Sequence, residues 1–341
     1  MGEPGKTLEI RTSPHILSGY SVDTIMFNVV LALLPVTAFA VFAFGLAGLL
    51  TLSVALASCV LTEDLICRAN RKPTTVGDWS VTITGLLYGL TLPPSLPLWM
   101  VAVGGMICVG MGKALFGGLG YNTFNPALVG RAILQATFPV AMTSWIPGFG
   151  AGRFSALPSS TLTLPFTTPE YDAITGATPL ALWKFNREAT DAADLALGFI
   201  SGSVGETSSV LIILGGVYLI ARNMMNWRIP VAIFGAVIVL SGALHLVDPG
   251  RYASPVFMIF SGGLMLGAMF MATDMVGSPM TSLGCYLYGA LIGLVTVVIR
   301  TWGGLPEGVM YAILLGNAVT PHLDRWIRPR VYGTQRREAA P

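Results

Sequence analysis

Ten apolar runs, most of them long enough to cross a bilayer, decide what this chain can become. They lie at roughly 24–44, 47–66, 79–94, 97–114, 124–139, 205–221, 229–247, 254–272, 280–299 and 306–323. A span needs about 20 mostly apolar residues, or fewer where it is short or re-entrant. Charge confirms the reading: only 11% of residues are charged and 53% are hydrophobic, where a soluble domain carries about 25% charge. The third run stops at Pro93-Pro94 and polar residues interrupt the tenth. The first run is too long for the core of a cleaved leader, roughly 7–15 residues, and reads as a first span. A soluble enzyme is excluded, and a net charge of +2 gives no footing for a nucleic-acid partner.

The 40 glycines and 22 prolines suit membrane helices. Small residues let backbones approach, and neighbouring groups re-satisfy broken hydrogen bonds. The four cysteines, Cys59, Cys67, Cys108 and Cys285, lie in or beside apolar runs without paired metal-ligand spacing. They read as packed or lipid-facing thiols, and no metal site is expected.

Basic residues orient the spans. With the N-terminus inside, the inner side holds Lys6, Arg11, Arg68, Arg71, Lys72, Lys113, Arg222, Arg228, Arg325, Arg328, Arg330, Arg336 and Arg337. The short outer loops hold Arg251 and Arg300, the long loop holds Arg153, Lys184 and Arg187, and Arg131 falls within the fifth span. This bias predicts cytoplasmic termini and an extracytoplasmic loop at 140–204. The expected fold class is an all-α polytopic membrane protein: a membrane half over 1–139, the loop over 140–204, and a second half with a cytoplasmic tail over 205–341.

The halves resemble each other. Gly85-LLYGLTLPP parallels Gly263-LMLGAMFMATD, and FGGLGYNTFNPALVGRAIL (116–134) parallels WGGLPEGVMYAILLGN (302–317). Five spans per half, an odd number, give two inverted repeats, an arrangement whose functional path lies near the midplane between them. The pattern breaks at matching places, Thr91-Leu92-Pro93-Pro94 and Ala272-Thr273-Asp274, and broken helices offer free carbonyls to a cation. Asp274, with Thr273, is a candidate for an ion path, because a membrane carboxylate costs about 2.5–3.5 kcal/mol on insertion scales; its plain alternative is an interfacial cap. Glu206 and Glu307 are further candidates, with helix-start acids as their alternative. Asn122 and Asn125 can cap a re-entering helix whose first turn holds Pro126. Arg131, one or two turns into that helix, needs an anionic partner such as a carboxylate, lipid head or phosphate.

The most specific stretch is Asp172-Ala-Ile-Thr-Gly-Ala-Thr178. It fits D-x-x-[S/T]-G-A-T and resembles the signal at which extracytoplasmic flavin transferases join FMN through its phosphate to the last threonine. Gly176 and Ala177 leave little bulk around Thr178, and Asp172 and Thr175 can fold the segment by local hydrogen bonds. The expectation is a mobile, exposed peptide that an enzyme can close on. The alternative is a Ser/Thr turn opening a short helix at Pro179.

Nearly end to end, the chain resembles the D-type membrane subunits (RnfD) of the Rnf ion-translocating ferredoxin:NAD oxidoreductases. It is similar, more distantly, to the B-type subunits of the sodium-translocating NADH:quinone reductases. Ser13-Pro14-His15, GGLGYNTFNPALVGRAIL, DAITGATPL, GSVGET, MATDMVGSP and EGVMYAILLGN carry the likeness. The resemblance implies FMN as a phosphoester on Thr178 and a second, noncovalent flavin (riboflavin) among the helices. It also implies a bacterial inner membrane location, other membrane and peripheral subunits as partners, a flavin transferase during maturation, and electron transfer coupled to Na+ or H+ movement. Where the family has Pro-Val or similar after the MATD acid, this chain has Met275-Val276, which leaves the ion open. The competing reading is a small-solute channel of the urea or ammonium type, with no cofactor and with residues 140–204 as a lid.

Overall fold

The computed structural model describes residues 21–150, 152–165, 167, 177–188, 190–206 and 208–329. Among the described residues all regular structure is helical and there is no strand. The principal helices are α1 (Val22–Ala69), α2 (Ser80–Leu90), α3 (Leu98–Gly110), α4 (Pro126–Thr137), α5 (Ser209–Ala221), α6 (Arg228–Val247), α7 (Pro255–Phe260), α8 (Ser282–Trp302) and α9 (Val309–Trp326).

Helix α1 contains the first two apolar runs and bends between them at Gly45 (φ 63°, ψ −135°). That left-handed geometry favours glycine, and a side chain there would also run into the Arg153 carbonyl. Close approach is what lets the Leu46 N–H donate to that carbonyl at 2.9 Å, pinning the long connection to the bend.

Every apolar run carries helix, but length alone supports fewer spans than expected. Four described helical stretches are long and apolar enough to cross a membrane: Val22–Ala69, Leu98–Phe116, Arg228–Val247 and Ser282–Trp302. Helix α2 has 11 residues, α4 has 12 and α5 has 13. At 1.5 Å per residue such helices reach only about 16–20 Å. The third run breaks after Leu90, ahead of the prolines. The eighth is three pieces: α7, a stop at Ser261-Gly262, then Leu264–Leu266 running into a π-helical turn at Gly267–Met271.

The break after α2 is closed by the other half. The Gly205 N–H donates to Leu90 O at 2.6 Å and the Val204 N–H to Leu92 O at 3.0 Å. Those two carbonyls, expected to be free for a cation, therefore have backbone partners. A side chain at Gly205 would press on Leu90, so glycine permits the contact.

The expected caps form. Asn125 caps α4 by accepting the Ala127 N–H at 3.1 Å, with Pro126 in the first turn. Ser208, not Glu206, caps α5. Helix α6 packs along α8 and α1 along α2 and α3; α1 against α5 and α4 against α9 join the halves. All four cavities described below involve these junctions or the connection at 140–204.

Candidate functional site

Thr178 sits at the end of the bundle that carries the 140–204 connection. It is 2% exposed, where the sequence led us to expect an exposed hydroxyl. The reason is local: its Oγ accepts the Ala181 N–H at 3.3 Å, capping a turn over Pro179–Ala181 whose Pro179 and Leu180 are buried. This is the Thr turn at Pro179 that the sequence also allowed. Ala177 is exposed beside it, while Asp172, Thr175 and Gly176 lie outside the described residues.

A cavity of about 40 Å³ joins Thr178 to Arg131, Gln135, Trp145, Glu307 and Tyr311. Arg131, 7% exposed, donates from Nη2 to Glu307 at 2.8 Å. Its Nε is buried with no acceptor among the described residues, and Glu307 Oε1 is equally without a donor. The anionic partner that Arg131 required is therefore Glu307, supplied by the other half of the chain. Part of the guanidinium's bonding capacity remains unused.

Arg131 and Glu307 also line a smaller, more enclosed space with Thr91, Leu128, Ser203, Glu206, Leu266 and Met271. Glu206 is 6% exposed. Neither of its oxygens receives a hydrogen bond among the described residues, and Ser203 and the Glu307 carboxyl are its polar neighbours. The neighbouring Arg300 spends its donors on carbonyls, Met258 O at 2.5 Å and Ser261 O at 2.9 Å. Two acids facing one another, with Arg131 bonded to one of them and Arg300 near but bonded to carbonyls, leave carboxylate oxygens that a proton or small cation would satisfy.

Asn122, Asn125, Thr273 and Asp274 gather at the opposite end. They line a cavity of about 90 Å³ between the halves, with Ser80 and Lys113 on its polar side and Met26, Leu87, Met224, Met269 and Phe270 among its apolar walls. Asn125 Nδ2 donates to Met271 O at 3.2 Å, tying α4 to the π-turn. The Asp274 carboxylate accepts the Val276 N–H at 3.3 Å and interacts with the Asn122 side chain, and the Thr273 hydroxyl donates to Met269 O at 2.6 Å. The sequence grouped Asn122 and Asn125 with Arg131; the structure divides them between two cavities at opposite ends.

Sequence reasoning missed a buried ion pair. Lys113 Nζ donates to both Glu63 oxygens, at 2.7 and 2.9 Å, and to Ser80 Oγ at 2.7 Å; the Thr75 hydroxyl also donates to Glu63. Both charged residues are 4% exposed. A count of cations by side treats Lys113 as solvated, and Glu63 falls inside the second apolar run. An acid within such a run was the available signal. Among the described residues no His, Cys, Asp and Glu cluster suits a metal ion, and the cysteines are free.

Comparison with known proteins agrees along nearly the whole chain. A profile described as the NQR2, RnfD, RnfE family matches residues 9–333. The D-type subunit of the proton-translocating ferredoxin:NAD(+) oxidoreductase complex of Clostridium ljungdahlii is 41% identical over 337 residues, 96% of each chain. The Na(+)-translocating counterpart from Acetobacterium woodii is 39% identical over 330 residues, 96% of this chain and 95% of that one. The D-type subunit of the ion-translocating oxidoreductase complex of Halorhodospira halophila is 39% identical over 344 residues, 96% of each chain.

Proposed function

Since the chain belongs to the NQR2, RnfD, RnfE family, we propose that it is the D-type membrane subunit of an ion-translocating ferredoxin:NAD+ oxidoreductase, bearing FMN as a phosphoester on Thr178. It acts within a multi-subunit complex and not alone. In this reading ten spans form two inverted halves in a bacterial inner membrane, termini inside, with Thr178 on the outer side. The helix end at Leu90 and the one at Met271 fall at corresponding places in the aligned stretches, which supports the repeat.

One observation carries the flavin assignment: the last hydroxyl of the D-x-x-[S/T]-G-A-T pattern opens onto the cavity that holds Arg131. A phosphoryl group there meets a guanidinium with an unused donor, and arginine is suited to phosphate oxygens. Trp145 and Tyr311 supply aromatic surface on the same wall. Bound flavin supplies the one- and two-electron chemistry that the side chains of this site lack. The chain's own residues hold and position it: Thr178 anchors, Arg131 neutralises, and Glu307 fixes Arg131 until an anion competes for it. The tether keeps the group present on a face from which a free cofactor would be lost.

The cavity lined by Asn122 and Asn125 suits the noncovalent flavin. Asn122, Asn125 and Thr273 offer amide and hydroxyl groups against apolar walls, the makeup of a cofactor site. Asp274 at its rim, with Thr273, is our candidate for the inner end of an ion path; Glu206 and Glu307 serve the outer end. Relatives of nearly equal identity are named for protons and for sodium, so likeness does not choose the ion.

Mass spectrometry of the tryptic peptide spanning Thr178, from chain coexpressed with a flavin transferase, tests the anchor. The expected mass gain is that of FMN joined with loss of water, absent in Thr178→Val. An unmodified peptide refutes the assignment and restores the pore reading, which requires no cofactor.

A further inference from the structure

Basic residues are scarce at the loop end of the molecule, yet they are not dispersed. The sequence places five there: Arg153, Lys184, Arg187, Arg251 and Arg300. Arg153 is accounted for, its guanidinium lying over the Phe42 ring at 5.0 Å and the Phe154 ring at 5.1 Å. The other four line one cavity of about 100 Å³, bounded also by Trp183, Tyr252 and Trp302. Among the described residues no acidic residue lines it.

These cations bond chiefly to carbonyls. Lys184 Nζ donates to Gly303 O at 2.5 Å and Leu305 O at 2.8 Å, and Arg187 Nη1 donates to Arg251 O at 2.6 Å. The Arg251 guanidinium lies 5.7 Å over the Tyr252 ring. Among the described residues none of the four is in an ion pair. Asp248, close in sequence to Arg251, uses Oδ1 on the N–H groups of Gly250 and Arg251. Arg300 interacts with Glu307 and Glu206, so its charge is partly balanced, whereas among the described residues Lys184, Arg187 and Arg251 have no such neighbour lining the cavity. Burial without a compensating anion holds Lys184 below the ordinary lysine range. Two buried polar atoms of lining residues, Arg300 Nε and Thr301 Oγ1, have no partner among the described residues.

A clasp explains part of this arrangement, since Lys184 and Arg187 tie the connection to the far half. A clasp needs neither four cations in one cavity nor spare donors. We propose that this cavity binds a phosphate-bearing anion. Arginine and lysine match phosphate oxygens, and the Tyr252 and Trp302 rings, 6.3 Å apart, are residue types that sit at headgroup level. Trp302 is 57% exposed, so the site opens at the rim of the bundle. An anionic phospholipid head from the outer leaflet has this chemistry, and so has a free phosphate; Thr178, whose phosphoester is assigned to the Arg131 cavity, does not line this one. The proposal does not rest on the flavin reading, because a chain that carries no flavin tests it.

The experiment uses the complete chain with Thr178→Val, reconstituted in bilayers of phosphatidylcholine alone or with phosphatidylglycerol and weighed by native mass spectrometry. Retention of phosphatidylglycerol, displaced by millimolar inorganic phosphate and at least tenfold weaker in Lys184→Gln/Arg187→Gln/Arg251→Gln, supports a lipid occupant. If instead inorganic phosphate alone binds and is lost in the triple variant, a free phosphate-bearing solute and not a lipid is the occupant. Arg153→Gln, which alters a cation outside the cavity, is expected to bind as the parent does. Equal retention by parent and triple variant, or no binding of either probe by a parent with an intact thermal transition, overturns the proposal. An intact transition in the triple variant shows that lost binding is not lost folding.

Discussion

Arg131 of α4 and Glu307, which lies just before α9, are joined at 2.8 Å across 176 positions of sequence. The pair links α4 to the approach to α9 and lines the Thr178 cavity. Removing one member of a buried pair strands the other charge, at a cost of about 3–5 kcal/mol. Arg131→Met should therefore lower the thermal midpoint of the purified chain sharply, and adding Glu307→Gln should recover most of the loss. If Arg131 also serves the phosphoryl group, the double variant will fold and yet carry less covalent flavin than the parent. Full flavin content in a folded double variant would remove Arg131 from the anchor.

A second expectation concerns access to Thr178. The hydroxyl is buried and engaged with Ala181, so a modifying enzyme must first lift the turn. The turn runs directly into the segment that Lys184 clamps to Gly303 and Leu305. Lys184→Met, which keeps the length of the stem and deletes both bonds, should speed flavin attachment several-fold in a time course of in-gel fluorescence. Equal rates would mean that the turn opens independently of the clasp.

The helical class and the Asn125 cap, with Pro126 in the first turn, were legible because apolar period and capping chemistry are local. The division of labour among the polar residues was not. Asn122, Asn125 and Arg131 lie within ten positions, yet α4 carries Arg131 about two turns from its cap, and the partners that separate them, Met271 and Glu307, come from the other half. Thr178 looked exposed because its neighbours are small; it instead caps a turn whose Pro179 and Leu180 are buried, the alternative that the sequence also allowed. Lys113 looked solvated because a count of cations by side does not see Glu63 fifty residues earlier.

The Glu63–Lys113 pair invites a double-mutant cycle. Lys113→Met alone leaves a carboxylate among Thr75, Ser80 and apolar walls and should cost roughly 3–5 kcal/mol, seen as a lowered melting midpoint. Glu63→Gln with Lys113→Met removes both charges and should lie near the parent. A double variant as weak as the single one would show that the Ser80 and Thr75 bonds, not the charges, hold this corner.

Asp274 gives the sharpest separation of ion coupling from flavin attachment, because it lies at the opposite end of the bundle from Thr178. Its carboxylate accepts the Val276 N–H at 3.3 Å, and an asparagine oxygen can accept the same bond, so Asp274→Asn should preserve the turn and the melting midpoint. Covalent flavin on Thr178 should be unchanged. The lost charge is what an ion path would need, since a carboxylate near the membrane offers a passing cation both charge and ligand oxygens. In the assembled complex in vesicles, ferredoxin-dependent accumulation of sodium, or of protons if that is the coupled ion, should fall at least tenfold while the flavin still reduces. Unimpaired accumulation by the Asp274→Asn complex would place the ion's route elsewhere and leave Asp274 as a cap for the turn at Met275–Val276.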